Sequence, residues 1–462
     1  MPHLLSFRRK RVILFVCSLA YFIANLDTTI VNVALPAIAQ DFGITLISTR
    51  NVLILFSFIY GVSIPIGCFL SDKYGVKKIF IAAAFVFGIS SLLCALSTSI
   101  LMLEIMRGVQ GMSAAFFTPV ARSIVIKYST RETIVNNMAN VLSVGLVAQT
   151  IGPFVGGMIT AHFNWKWVFF INVPICLFAI VLGYIFLKNI KEEKIGRFDI
   201  FSFLSLTIAI SSFLYLCGYV SVWVIDYKRI IIITAILLAS ALSYYLYSRR
   251  KPVNIINTSL FKDKIFRDSI LMSIITRHGL SAMSFVFVLI LSICYGFSDE
   301  RIGNILLFYG LGIWVSKFLI PVLSKYVKIQ KLIYYASICI FVSILGVAFL
   351  TYYKCVILFI VILMFCGLSS SLYYGYLNGL TLQRIDKSDS SQASTIISLI
   401  VYVCQSSSIS IFNIFFMSAK SFTLSQPLRI IISVLLMSLI IFIGIVIMKR
   451  NKEFMNYSES EF

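Results

Sequence analysis

Asp27 is a carboxylate inside an apolar run, Leu26-Asp27-Thr28-Thr29-Ile30-Val31-Asn32-Val33-Ala34-Leu35-Pro36. A charged side chain at the centre of a membrane helix costs ~2.5–3.5 kcal/mol on insertion scales. It therefore needs a partner, a water-filled cavity or a proton. Arg107, in Leu103-Glu104-Ile105-Met106-Arg107-Gly108-Val109-Gln110-Gly111, is the candidate partner. Counting ~1.5 Å per residue puts both side chains ~10 Å below the outer surface, a depth that permits contact. A nearby cation favours a carboxylate's charged form and burial disfavours it. A proton carrier needs that balance to change with conformation, whereas a structural ion pair does not; the residues alone allow either. Glu104, three positions before Arg107, is another candidate for pairing on one helix face, or a residue of the interface.

Asn25, Thr29 and Asn32 share a helical stripe nearly opposite Asp27, so this segment has two polar faces. One can line a cavity while the other meets a neighbouring helix. Further along lie Arg277 and His278, too deep for the arginine head group to reach the interface easily. Arg277 could pair structurally or bind an anionic group. Ser370, Tyr373, Tyr374 and Asn378, then Ser394, Ser398, Tyr402 and Gln405, fall at helical spacing in two later segments. They suit a polar, aromatic cavity wall, or hydrogen bonding between helices. The candidate cavity residues are Asn25, Gln149, Arg277, His278, Tyr373, Tyr402 and Gln405.

Two glycine-rich stretches are more specific in their spacing. Gly67, Asp72, Gly75, Lys77 and Lys78 make a short basic connection in which glycines allow a tight turn and Asp72 can cap a helix or pair with a cation. Gly145, Gly152, Pro153, Gly156 and Gly157 lie in one apolar run. Ala148, Gly152, Gly156 and Thr160 repeat every four residues, a small-residue face for close helix packing, and Pro153 can set a bend.

The elements that must position these residues are membrane helices. Apolar runs occur at 12–34, 49–70, 79–97, 100–122, 137–161, 166–187, 198–220, 228–248, 268–294, 302–323, 332–351, 355–379, 393–417 and 427–448. Each is about long enough to cross a bilayer, and they use most of the 462 residues. Continuous rather than alternating apolar runs exclude a barrel, which leaves an all-α polytopic membrane protein. The chain is 60% hydrophobic and only 12% charged. Its net charge of +21 sits in short runs between apolar segments, so nucleic-acid binding is not expected. With the N-terminus inside, 28 of the 39 Lys and Arg fall on the cytoplasmic side and 8 outside, leaving Arg107, Arg277 and Lys317 within spans. That asymmetry orients the chain, and an even number of spans puts both termini in the cytoplasm. The first run lacks a small-residue cleavage site and reads as a span, not a removed signal peptide. Neither the ten cysteines nor His3, His162 and His278 have metal-ligand spacing, so no metal and no cofactor are expected. The basic stretch 249–267 carries Asn257-Thr258-Ser259-Leu260-Phe261-Lys262-Asp263, read as a surface segment against the membrane. Leu70-Ser71-Asp72-Lys73-Tyr74 and Leu323-Ser324-Lys325-Tyr326 end corresponding spans of two six-span halves, a weak internal echo typical of transporters.

Together these motifs resemble the major facilitator superfamily, in particular its fourteen-span drug:proton antiporters of the EmrB/QacA type. Residues 20–187 carry the likeness: the Asp27 segment, the 67–78 loop, the 103–111 motif with its Arg, the 145–157 antiporter motif and Trp165-Lys166-Trp167-Val168-Phe169-Phe170-Ile171-Asn172-Val173-Pro174. Val76 and Ser71 depart from the loop pattern, and Lys325 stands where the second half could carry an Asp. The resemblance implies a major-facilitator fold of two six-helix bundles plus two extra central helices: 1–190, an added pair over 191–255, and 256–462. It implies alternating access driven by inward proton flow, with Asp27 as proton site, Arg107 its coupled partner and Gly152-Pro153 the antiporter seal. The expected function is export of small amphipathic organic molecules from the inner membrane, with protons, the bilayer and the substrate as partners. The chain is expected to act as a monomer, or with accessory export proteins. The alternatives are a dedicated exporter of an anionic metabolite or siderophore and, more remotely, a polytopic membrane enzyme, for which no nucleophile, metal cluster or acid pair is found.

Overall fold

The computed structural model describes residues 7–44, 49–191, 199–221, 226–248, 258–297, 299–383, 385–386, 389–419, 424–451 and 454. His3 and all of residues 249–257, Asn257 among them, lie outside them. Among the described residues, fourteen helices are long and apolar enough to cross a membrane. They are α1 (Phe7–Asp41), α2 (Arg50–Tyr74), α3 (Val76–Ala95), α4 (Ile100–Tyr128), α5 (Ile134–His162), α6 (Trp167–Phe186), α7 (Ile200–Ser221), α8 (Tyr227–Ser248), α9 (Lys264–Cys294), α10 (Asp299–Tyr326), α11 (Ile329–Tyr353), α12 (Val356–Gln383), α13 (Ser390–Ser418) and α14 (Gln426–Arg450). The chain is an integral multi-pass membrane protein.

Several helices outrun their apolar cores, because backbone hydrogen bonding does not stop where the bilayer does. The clearest case is α4. Hydropathy ends it at residue 122 and assigns Arg122 to a cytoplasmic loop, but the helix continues to Tyr128 and Arg122 is buried within it. Helix ends are marked by local chemistry. The Ser99 hydroxyl accepts from the Met102 amide at the start of α4, and the Asp263 carboxylate accepts from the Phe266 amide at the start of α9. Thr258–Lys262, from the expected surface segment, forms a short 3₁₀ turn with Leu260 buried.

Two helices are interrupted. In α6, a turn at Trp167–Phe170 gives way at Ile171 to a second piece, Asn172–Phe186. Pro174 falls in the first turn of that piece, where a missing N–H costs no helical bond. In α9, Lys264–Leu280 is followed by Met283–Leu289 and a π-helical turn at Ile290–Cys294.

Contacts gather the chain into two compact units. One is Met1–Ile195 with Leu382–Ser398; the other is Gly196–Thr381 with Leu399–Phe462. In the first, α1 packs along α5, α2 on α4, and α3 on α4 and α6. Glycines set these approaches. A Cβ at Gly156 would come within 2.7 Å of the Ile30 carbonyl oxygen, and one at Gly145 within 2.9 Å of the Asn25 amide nitrogen. At Gly152 it would collide with the Thr29 hydroxyl, whereas at Gly157 it would meet only Val33, at 3.8 Å. In the second unit α7 and α8, the pair expected over 191–255, pack on each other. Only 11% and 6% of the residues in their apolar stretches are buried, so these two helices are the least enclosed of the fourteen.

Candidate functional site

The most enclosed polar cluster in the first unit forms around Asp27. The residue is wholly buried, as is Arg107. Arg107 Nη1 donates to Asp27 Oδ2 at 2.6 Å. The other carboxylate oxygen, Oδ1, accepts from Gln110 Nε2 and from Asn172 Nδ2, both at 3.0 Å. Gln110 stands three residues after Arg107, on the same face of α4. Its carbonyl oxygen accepts from Arg107 Nη1, and its amide nitrogen also donates to Ser91 Oγ on α3 at 2.6 Å. Five polar side chains from α1, α3, α4 and α6 therefore close on one another.

Local structure explains the arrangement. The break at Ile171 in α6 leaves Asn172 at the start of its second piece, buried and aimed at Asp27. Trp165, just before, is fastened to the end of α1 by its indole N–H, which donates to Asp41 Oδ2 at 2.9 Å. On α4, a Cβ at Gly111 would run into the Phe56 backbone, so glycine lets α2 approach and lay the Phe56 ring over the guanidinium. The Arg107 Cζ lies 4.0 Å from that ring's centroid and 5.8 Å from the Phe169 centroid. Arg107 Nε and Nη2 have no hydrogen-bond partner among the described residues and face this aromatic wall instead. Arg107 pairs with Asp27, and not with Glu104, which is only half-buried.

The polar stripe opposite Asp27 meets α5. Asn25 Nδ2 donates to the Tyr21 carbonyl at 2.8 Å, and the Thr29 hydroxyl bonds back to the Asn25 and Leu26 carbonyls. Asn32 is exposed, and Gln149 on α5 is half-buried.

At the α2–α3 connection, Gly75 takes φ +96°, a left-handed conformation that suits glycine, and a Cβ there would strike the Asn189 side chain. Asn189 Nδ2 donates to the Tyr74 carbonyl at 3.0 Å, Lys77 Nζ donates to the Tyr184 carbonyl at 2.6 Å, and the Val76 amide donates to the Ile190 carbonyl at 3.1 Å. Lys78 lends its amide to Asn189 Oδ1 at 3.3 Å, while its side chain is exposed. Asp72 is half-buried, and Gly67 packs against the Phe116 ring. The connection is thereby laced to the strap that follows α6.

The sequence matches the Major Facilitator Superfamily over residues 17–411. The chain belongs to that superfamily. It is a transporter and not an enzyme. Relatives that carry the multidrug resistance name MdtD are 27% identical over 402 residues in Pectobacterium carotovorum subsp. carotovorum, across 87% of this chain and 86% of that protein. In Pectobacterium atrosepticum the figure is 28% over 403 residues, across 87% and 86%. The human organic anion transporter MFSD10 (TETRAN) superposes with a TM-score of 0.68 at 12% identity, over 95% of this chain and 99% of that one. The proton:xylose symporter XylE does so with 0.67 at 12%, over 97% and 96%. These two likenesses concern the fold alone.

In the transporter's second unit, Arg277 and His278 are both half-buried on α9. Arg277 Nε donates to Ser273 Oγ at 3.0 Å, and its Cζ sits 4.3 Å from the Tyr374 ring centroid. His278 ties α9 to α13: Nδ1 meets the Ile274 carbonyl at 2.8 Å and Nε2 meets Ser407 Oγ at 3.0 Å. Tyr373 is fully buried, with its hydroxyl 2.7 Å from Thr276 Oγ1, so it braces α9 and α12 and faces no open surface. Tyr402 is half-buried and Gln405 exposed on α13.

Sequence reasoning gave no role to four residues that the structure singles out. Gln110 is signalled by its i+3 spacing from Arg107. Asn172 is signalled by being a lone amide in an apolar run. Ser91 has no signal, because a buried serine most often bonds its own helix. Arg122 is the fourth. It donates through Nη1 to the Ser394 carbonyl at 2.9 Å and to Ser398 Oγ at 2.7 Å, both in the part of α13 that belongs to the first unit.

Proposed function

We propose that this transporter is a proton-coupled antiporter that exports small amphipathic organic molecules by alternating access, in the inner membrane with both termini cytoplasmic. The observation that carries the reading is the buried Asp27 cluster. As drawn, the carboxylate is the charged partner of Arg107, with three donors on its two oxygens. Protonation would turn one oxygen into a donor and remove the charge that holds the guanidinium. Gln110 is suited to both states, since its carbonyl already accepts from Arg107 and its amide already serves Asp27. The cluster can thus pass between a paired and a protonated form without orphaning every group at once. Such a two-state element is what coupling requires, because a proton and a substrate bias a transporter only through different affinities for its conformations.

The packing of α1 on α5 at Gly145, Gly152 and Gly156 supports the same reading. It brings α5 tightly against the face of α1 that Asp27 does not use, the close packing that an antiporter needs to limit a proton leak. The relatives named for multidrug resistance support export as the direction and organic molecules as the cargo. The test is proton release from purified, weakly buffered protein on adding candidate substrates. Saturable release that disappears in Asp27→Asn supports the reading; saturable substrate binding with no proton movement contradicts it.

A further inference from the structure

Arg277 lies nine residues past the start of the apolar run 268–294, roughly 14 Å along the helix. With a hydrocarbon core ~30 Å thick, that is deep in the membrane. Arginine there carries a fixed charge and five donors. Among the described residues only one donor, Nε, has a hydrogen-bond partner, the Ser273 hydroxyl. No carboxylate among the described residues pairs with the guanidinium. It is nonetheless only half-buried, so its free edge opens onto a surface.

That surface is more polar than the open faces of the neighbouring helices. The open faces of α11, α12 and α14 are apolar: Val342, Phe349, Val361, Phe365, Leu439 and Phe442. The open face of α9 beside Arg277 carries Ser281 and Ser284 along with Phe285 and Val288, and the adjoining face of α13 carries Gln405 and Ser406 along with Ile409. The His278–Ser407 contact and the Ser408 hydroxyl's bond to the His278 carbonyl hold these two faces side by side. A half-buried cation deep in the membrane with unused donors beside polar groups has no counter-charge among the described residues. His278 cannot share the task, because both of its ring nitrogens are engaged. The Tyr374 ring fixes the guanidinium plane from one side and leaves its edge for a bidentate acceptor.

We propose that Arg277 binds an oxyanion of the cargo, so that the exported molecules are amphipathic organic anions bearing a carboxylate or an equivalent group. This narrows the substrate class of the export reading above and rests on it. The same chemistry would fit the phosphate of an anionic lipid headgroup, and the experiment separates the two.

Purified transporter in an uncharged detergent is tested by equilibrium dialysis with 1-pyrenebutyrate and its methyl ester. The wild type should prefer the acid by about tenfold or more, the size of one good charge-assisted interaction. Arg277→Gln should bring the two ligands to equal affinity, while Arg277→Lys, which keeps the charge, should retain part of the preference. Added phosphatidylglycerol should leave the acid bound, and proteoliposomes of phosphatidylcholine alone should transport it. Equal affinity of the wild type for acid and ester, or an unchanged preference in Arg277→Gln, overturns the proposal. So does displacement of the acid by phosphatidylglycerol without transport, which gives the site to lipid. Transport of the ester in preference to the acid leaves the export reading standing and removes this one alone.

Discussion

The central residue-scale feature is an ion pair buried without remainder. Removing one member of such a pair strands a charge, at about 3–5 kcal/mol. We therefore expect Asp27→Asn and Arg107→Gln each to lower unfolding stability by roughly that amount. The double variant should lose clearly less than the sum, because no charge is left alone. Thermal and denaturant unfolding of the four proteins in one detergent measures this cycle, and strict additivity would show that the two groups do not depend on each other. Much of this site was legible beforehand. A carboxylate and a guanidinium in apolar runs at matching depth have few ways to be tolerated. Asn172 and Ser91 were not legible as its members, because which faces of α3 and α6 turn inward is decided by helix rotation. Arg122 was hidden for another reason: a cation at the end of an apolar run looks like a loop residue until the helix is seen to continue past it.

At the scale of elements, α1 and α5 depend on missing side chains. The five motif positions are not equivalent, which the spacing alone did not reveal. Gly156 touches the α1 backbone at Ile30, where nothing flexible can give way, and Gly157 faces open space up to Val33. Gly156→Leu should impair transport and destabilise the protein by about 1–3 kcal/mol through overpacking, while still inserting, since leucine is favoured in lipid. Gly157→Ala should transport like the wild type. Equal behaviour of the two variants in a transport assay would contradict the packing described. The existence of fourteen helices followed directly from apolar runs, because the bilayer leaves the backbone no other choice. Their true ends did not, and neither did the breaks in α6 and α9, which depend on tertiary contacts that a hydropathy pattern does not contain.

For the whole molecule, the cation asymmetry predicts orientation. On a background with the exposed Cys339 and Cys355 replaced by serine, Lys354→Cys should react with an impermeant thiol reagent from outside intact cells, and Lys262→Cys only after permeabilisation. The reverse pattern would invert the topology. The account as a whole stands on proton coupling through Asp27, and its most direct test is uphill export in proteoliposomes under an imposed pH gradient. The wild type should move a bound substrate against its own gradient, and Asp27→Asn should bind that substrate and fail to move it uphill. Uphill, pH-driven export by Asp27→Asn at the wild-type rate would contradict the account.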